Sequence, residues 1–173
     1  MDAPARPQRI LLPVRMATIV GSFAAALLLD FLPWREVALV PDFVALVITF
    51  WCVQQPRLVG LGAAWLLGLL IDAGNGVLLG QHALAYSLLA FGGVTLSRRI
   101  LWFTVPRQAL QVGALLVAAE LVALLVRLAA GAEFPGWTIL VGPALGAALW
   151  PLATFVLLAP QRRPAEPDPA RPR

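Results

Sequence analysis

The stretch that most restricts how this chain can fold is residues 60–86, GLGAAWLLGLLIDAGNGVLLGQHALAY. Two apolar runs are interrupted once, by Ile71-Asp72-Ala73-Gly74-Asn75-Gly76. An acid followed by small, turn-prone residues at that point predicts a hairpin between two membrane helices. Asn75-Gly76 readily takes positive φ, and Gly74 adds backbone freedom. On the ascending helix Gly60, Ala64 and Gly68 recur at every fourth position, so they fall in one smooth stripe. In lipid, where packing drives helix association, such a stripe lets another helix approach closely. Asp72 stands where this helix is expected to end, capping the amides of Gly74 and Gly76 in an Asx-type turn.

The rest of the chain fits the same setting. It is 60% hydrophobic and 13% charged, with a mean hydropathy of +0.83. A soluble domain is nearer half apolar and about a quarter charged. The composition therefore describes an all-α, polytopic membrane protein. No polar stretch is long enough to bury a core, so no extramembrane domain is expected. Three regions follow: a basic N-terminus over 1–12, a membrane domain over 13–159 and a disordered tail over 160–173.

Six transmembrane helices joined by short loops are expected, at about 13–33, 37–53, 58–71, 77–96, 109–130 and 137–159. The third is short for a hydrocarbon core of ~30 Å, so part of Asp72–Gly76 should lie at membrane depth, covered by protein or water. Pro143 and Pro151 should kink the sixth, and Gly142 and Gly146 give it a GxxxG face. Trp34 suits an aromatic belt in the first turn. Arg6 and Arg9 ahead of the first apolar run look like the start of a signal peptide. Because five more runs follow, that run is read as an uncleaved anchor.

All 13 basic residues are arginines. With six spans, one side holds Arg6, Arg9, Arg15, Arg57, Arg98, Arg99, Arg107, Arg162, Arg163, Arg171 and Arg173, and the other only Arg35 and Arg127. The positive-inside bias then places both termini in the cytoplasm. The arginines are scattered between apolar spans, which is no footprint for nucleic acid. The single Cys52 and single His82 exclude an internal disulfide and a multi-ligand zinc cluster, so neither metal nor cofactor is expected.

Charged groups inside spans cost roughly 2.5–3.5 kcal/mol each near mid-helix, so each needs a reason. Glu120 lies near the middle of the fifth span, with Arg127 two turns later on the same face. It suits a buried contact with another helix, from this chain or a partner; a protonated, locally bonded acid is the other reading. Asp42, after Pro41, needs a partner or water. Asp42 and Asp72 could be imagined as an aspartyl dyad, but no polar motif for peptide and water accompanies them. There is no GxSxG around any serine and no phosphate loop following a strand. No enzyme is expected.

Leu32-Pro33-Trp34, Pro41-Asp42, Trp51, Pro56, Gly68-Leu69-Leu70-Ile71-Asp72, Gly76, Leu79-Gly80 and Ala83-Leu84 together resemble the rod shape-determining protein MreD family. Gln108-Ala109-Leu110 and Leu149-Trp150-Pro151 extend the resemblance. The chain departs from the family pattern at Asp42, where the resemblance leads one to expect a neutral Asn after the proline. The resemblance implies a non-enzymatic subunit of the bacterial elongation machinery in the inner membrane. It implies pairing with the single-span protein MreC, and work alongside MreB filaments and the wall-synthesising enzymes. It also implies an architecture similar to the small substrate-binding subunits of vitamin transporters. Such a subunit is the alternative function, and it would carry a polar pocket near the outer leaflet built from Asp42, Asp72, Asn75 and His82. The candidate partner-helix or structural residues are Gly60, Ala64, Gly68, Asp72, Gly76, Gly80, Glu120, Gly142 and Gly146. Their small-residue faces also suit a second copy of the chain, that is, a homodimer.

Overall fold

A computed structural model describes residues 14–32 and 40–161. The expected basic N-terminus, the turn with Trp34 and Arg35, and most of the arginine-rich tail lie outside the described residues. The described residues form six α-helices and no strand: α1 (Met16–Asp30), α2 (Phe43–Gln54), α3 (Leu61–Asn75), α4 (Gln81–Leu101), α5 (Val105–Ala129) and α6 (Val141–Leu158). A 3-10 turn, Trp137–Leu140, leads into α6, and another, Ala159–Gln161, follows it.

α2 is the axis of the bundle. Every residue from Val44 to Val53 is buried, the pattern of a helix apolar all round and enclosed by its neighbours. It packs on α1, α4, α5 and α6, while α3 folds back along α4 and α5 pairs with both α4 and α6. The densest part of the core is aromatic. Phe50 meets Trp51 edge-on at 5.0 Å between ring centroids and Trp150 at 6.0 Å. Both indoles have partners, as buried Trp N–H groups generally do. Trp51 Nε1 donates to Ser22 Oγ at 2.8 Å, and Trp150 Nε1 donates to Gln108 Oε1 at 3.2 Å.

Close helix approaches occur at glycines. A Cβ added at Gly113 would lie 2.9 Å from Ala147 Cβ, and one at Gly93 would lie 3.0 Å from Cys52 Cβ. The outer faces are apolar: Val20, Leu28, Leu66, Leu84, Phe91, Leu110, Leu125 and Val156 are all exposed. A soluble monomer rarely shows so much contiguous apolar surface, whereas lipid requires it.

Several boundaries differ from expectation. α3 runs one turn past Ile71, because Gly76 at φ 63° closes it in a Schellman pattern, with Val77 N–H bonded to Asp72 C=O at 3.2 Å. Asp72 therefore sits inside the last turn of α3 and not at its end. α2 starts at Phe43, so Pro41-Asp42 precedes the helix where it was expected one turn inside. The polar stretch 97–108 is mostly helical, with only Trp102–Thr104 outside α4 and α5. Pro106 falls in the first turn of α5, where a missing N–H needs no partner. Pro143 occupies the equivalent place in α6, so of the two prolines expected to kink that span only Pro151 is interior. By length and composition, Val105–Ala129 and Trp137–Gln161 can cross a membrane, and three shorter apolar helices accompany them.

Candidate functional site

The first turn of a helix leaves amide N–H groups without intrahelical partners, and a buried helix start needs acceptors from elsewhere. In this bundle, carboxylates borrowed from neighbouring segments supply them. Asp72, fully buried in α3, reaches across the hairpin to the start of α4. Its Oδ2 accepts from Gly80 N at 2.8 Å and Ala83 N at 3.4 Å, and its Oδ1 accepts from His82 N at 2.9 Å. His82 Nδ1 lies 2.7 Å from the same Oδ1. Asp72 thus clasps α4, and the Asx-type turn expected with Gly74 and Gly76 does not form. The reason is geometric: in the last turn of α3 its side chain is directed to the facing helix start, which presents several unpaired amides at once. Gly80 makes this possible at φ 101°, a left-handed conformation that turns its N–H toward the carboxylate.

The start of α2 is built the same way. Asp30, at the end of α1, accepts from Phe43 N at 3.2 Å and Val44 N at 3.0 Å. Asp42 caps the helix through Ala45 N at 2.7 Å, and its other oxygen accepts the Tyr86 hydroxyl at 2.5 Å. Tyr86 is buried on α4 and stands edge-on to His82, with ring centroids 5.8 Å apart. Asp72, His82, Tyr86 and Asp42 therefore form one side-chain sequence linking the starts of α4 and α2. Asp42 and Asp72 each have their own donors, an arrangement unlike a shared-proton dyad.

These groups border a partly open cavity of about 250 Å³ between α2, α4, α5 and α6. Asp30, Asp42, His82, Tyr86 and Glu120 line it, together with Thr138 and several small apolar residues. Glu120, on α5, also lines this space. No ion pair joins Glu120 to Arg127; between described residues, the His82 ring against the Asp72 carboxylate is the one contact of a basic side chain with an acid at that range. No three His, Cys, Asp or Glu among the described residues are placed to hold a metal ion.

The remaining candidates fall into two groups. Ala64 and Gly68 are buried, and a Cβ at Gly68 would lie 2.5 Å from Ala83 N, so this part of the stripe is covered by α4. A Cβ at Gly146 would lie 2.8 Å from Leu116 Cδ1, and one at Gly142 3.5 Å from the Val40 carbonyl oxygen, so these too face the chain itself. Gly60 has nothing within 4 Å of such an atom, and neither do Gly76 and Gly80, where positive φ is the requirement. Asn75 lies in the hairpin, with its Nδ2 buried and unbonded, outside the cavity lining.

Sequence reasoning missed Tyr86 and the capping role of Asp30. That Tyr86 is the single tyrosine of the chain was the available signal for the first. Gln108 was missed as well, although it and Trp150 sit in the two short stretches that extended the family resemblance. Replacing Tyr86 with Phe removes only the hydroxyl that reaches Asp42. A hydrogen bond to a charged group contributes about 1.5–3 kcal/mol, so Tyr86→Phe should lower unfolding stability by about 2 kcal/mol. Thermal unfolding in mild detergent reads this directly; an unchanged transition would show that the bond contributes nothing.

Fold and site together define a small all-helical membrane protein whose buried acids hold helix starts in place. The chain belongs to the rod shape-determining protein MreD family, which matches residues 8–159. It is 32% identical over 152 residues to the rod shape-determining protein MreD of Haemophilus influenzae, covering 84% of this chain and 91% of that protein. No solved structure matches the chain. The family is a component of shape determination and not a known enzyme family, which favours the first functional expectation over a transporter subunit.

Proposed function

We propose that the chain is a non-enzymatic scaffold of the bacterial inner membrane, crossing it six times with both termini in the cytoplasm. In this role it binds an MreC-like single-span protein and thereby helps position lateral wall synthesis, with MreB and the wall-synthesising enzymes engaged indirectly. One observation carries the non-catalytic part: Asp30, Asp42 and Asp72 each accept backbone amides at helix starts, which is a structural assignment for the acids a reaction would need. Family membership supports the cellular role. The orientation is supported by Arg57, Arg98, Arg99 and Arg107 at the end of the bundle opposite the carboxylates.

The test is a gentle-detergent purification of the tagged protein from its own host, with mass spectrometry of what accompanies it. The expected result is a single-span, coiled-coil periplasmic protein together with wall synthases. An ATPase module and a stoichiometric vitamin-like molecule would instead make the chain a transporter subunit. Two differently tagged copies in one host report whether it also pairs with itself.

A further inference from the structure

The end of the bundle away from the carboxylates carries exposed arginines around an exposed indole. Arg98 and Arg99 occupy the last turn of α4, Trp102 closes that helix, and Arg107 stands in the first turn of α5. All four are exposed, and Trp102, at 92%, is the most exposed large apolar side chain among the described residues. No acidic residue occurs in the chain between Asp72 and Glu120, and none of the three arginines makes an ion pair with a described residue. Cations at a helix C-terminus complement the macrodipole, which accounts for the sign of Arg98 and Arg99. It does not account for the indole between them, a side chain with an apolar body and one polar N–H.

Helical spacing sets these groups at the end of one continuous stripe. Leu84, Leu88, Phe91, Thr95, Arg98 and Trp102 follow each other at alternating steps of four and three residues, and every one of them is exposed. The stripe is apolar through Phe91, then turns basic and aromatic. From Leu88 to Arg98 the helix rises about 15 Å, one leaflet's share of a hydrocarbon core of ~30 Å. At its end Arg98, Arg99, Trp102 and Phe103 border a shallow, open groove of about 420 Å³. Such a groove can seat a headgroup whose tails stay outside it. A guanidinium fork matches two phosphate oxygens, so adjacent arginines can take one phosphodiester from two directions. An acidic protein surface would answer the charge and leave the apolar length of the stripe unused. A phospholipid presents hydrocarbon and then phosphate, in the order in which the stripe does.

We propose that this end of α4 holds an anionic phospholipid of the cytoplasmic leaflet, with its phosphate between Arg98 and Arg99 and its tails along Leu88 and Phe91. The leaflet rests on the orientation proposed above; the binding does not depend on any partner protein. The test is native mass spectrometry of the full chain in mild detergent, titrated with phosphatidylglycerol or with phosphatidylcholine of the same acyl chains. One phosphatidylglycerol should be retained, in clear preference to phosphatidylcholine. Arg98→Gln and Arg99→Gln should each weaken its retention about fivefold, the size of one basic group's attraction to an anionic surface, and the double variant should lose the preference. Either single variant carries the test if the double variant fails to fold. Arg15→Gln, at the start of α1, should leave the preference unchanged. Added phosphatidylglycerol should also raise the thermal transition of the unmutated chain and not that of the double variant. Equal retention of the two lipids by the unmutated chain would overturn the proposal. An equal loss from Arg15→Gln would do the same, because charge would then be acting diffusely. So would an acidic cytoplasmic protein that is lost from the double variant while the lipid preference stays intact. The orientation fails separately: labelling of Thr104→Cys by a membrane-impermeant maleimide from the periplasmic side would overturn it, and the leaflet named here with it.

Discussion

Asp72→Ala should destabilise the folded chain by about 3–5 kcal/mol, the range for removing one side of a buried charged contact. The carboxylate is fully buried and accepts from the amides of Gly80, His82 and Ala83 as well as meeting the His82 ring. With Ala in its place, these amides would face an apolar interior with no water to replace the lost oxygens. The hairpin should open locally and α4 should fray from its first turn. Asp72→Asn should fall between the two, because it keeps one acceptor oxygen but turns an NH2 group toward donors. His82→Gln should cost only about 1 kcal/mol, since it leaves the three amide bonds in place. Thermal unfolding of the four proteins in one detergent gives the series. Equal stability of Asp72→Ala and the unmutated chain would refute the clasp.

The second large effect is expected at Gly68. A Cβ there would lie 2.5 Å from Ala83 N and 2.7 Å from the His82 carbonyl carbon, both backbone atoms that no rotamer change can move. Overpacking of a well-packed core costs about 1–3 kcal/mol for added methylenes, and a rigid backbone opposite puts Gly68→Ala at the upper end. Gly68→Leu should leave no monodisperse folded protein in detergent, because α3 and α4 must separate before the side chain fits. Gly62 provides the contrast on the same helix. Nothing lies within 4 Å of a Cβ built there, so Gly62→Ala should be neutral or stabilising by up to about 1 kcal/mol. A Gly68→Leu protein as stable as the parent would mean that the two helices do not approach at this point. Loss of the partner in a Gly68 variant would therefore report a damaged hairpin before it reported a lost docking face.

The two effects belong to one piece of architecture. Gly68 brings α3 against α4, and Asp72 joins them one helical turn further on. Tyr86, one turn beyond His82, carries the connection to Asp42 and so to the central helix. Acids that would be costly alone in a membrane are tolerated because helix starts supply donors in a fixed place. Glu120 is outside this scheme, since α5 passes it at mid-helix where backbone amides already have partners.

Much of this was legible in the chain order. Uninterrupted apolar runs cannot leave amides and carbonyls unpaired in lipid, so helices were the available answer, and every expected run contains one. The break at Asp72–Gly76 located the hairpin, because Gly76 is suited to the left-handed residue that closes α3. The four-residue spacing of Ala64 and Gly68 identified a face for close approach. What the spacing could not contain was the surface on the other side of that face. Whether α4 or a foreign helix covers it depends on how all six helices arrange themselves.

The same limit governed the side chains. Sequence by itself determined that Asp72 and Asp42 needed donors, because desolvating a carboxylate without them is prohibitive. Only the tertiary structure decided which donors. Local rules favour amides two or four residues away, yet Asp72 is served by residues 8 to 11 positions on, and Asp42 by a tyrosine 44 positions on. A helix start gathers several unpaired amides at one point in space, and the nearest buried carboxylate takes them whatever its distance along the chain.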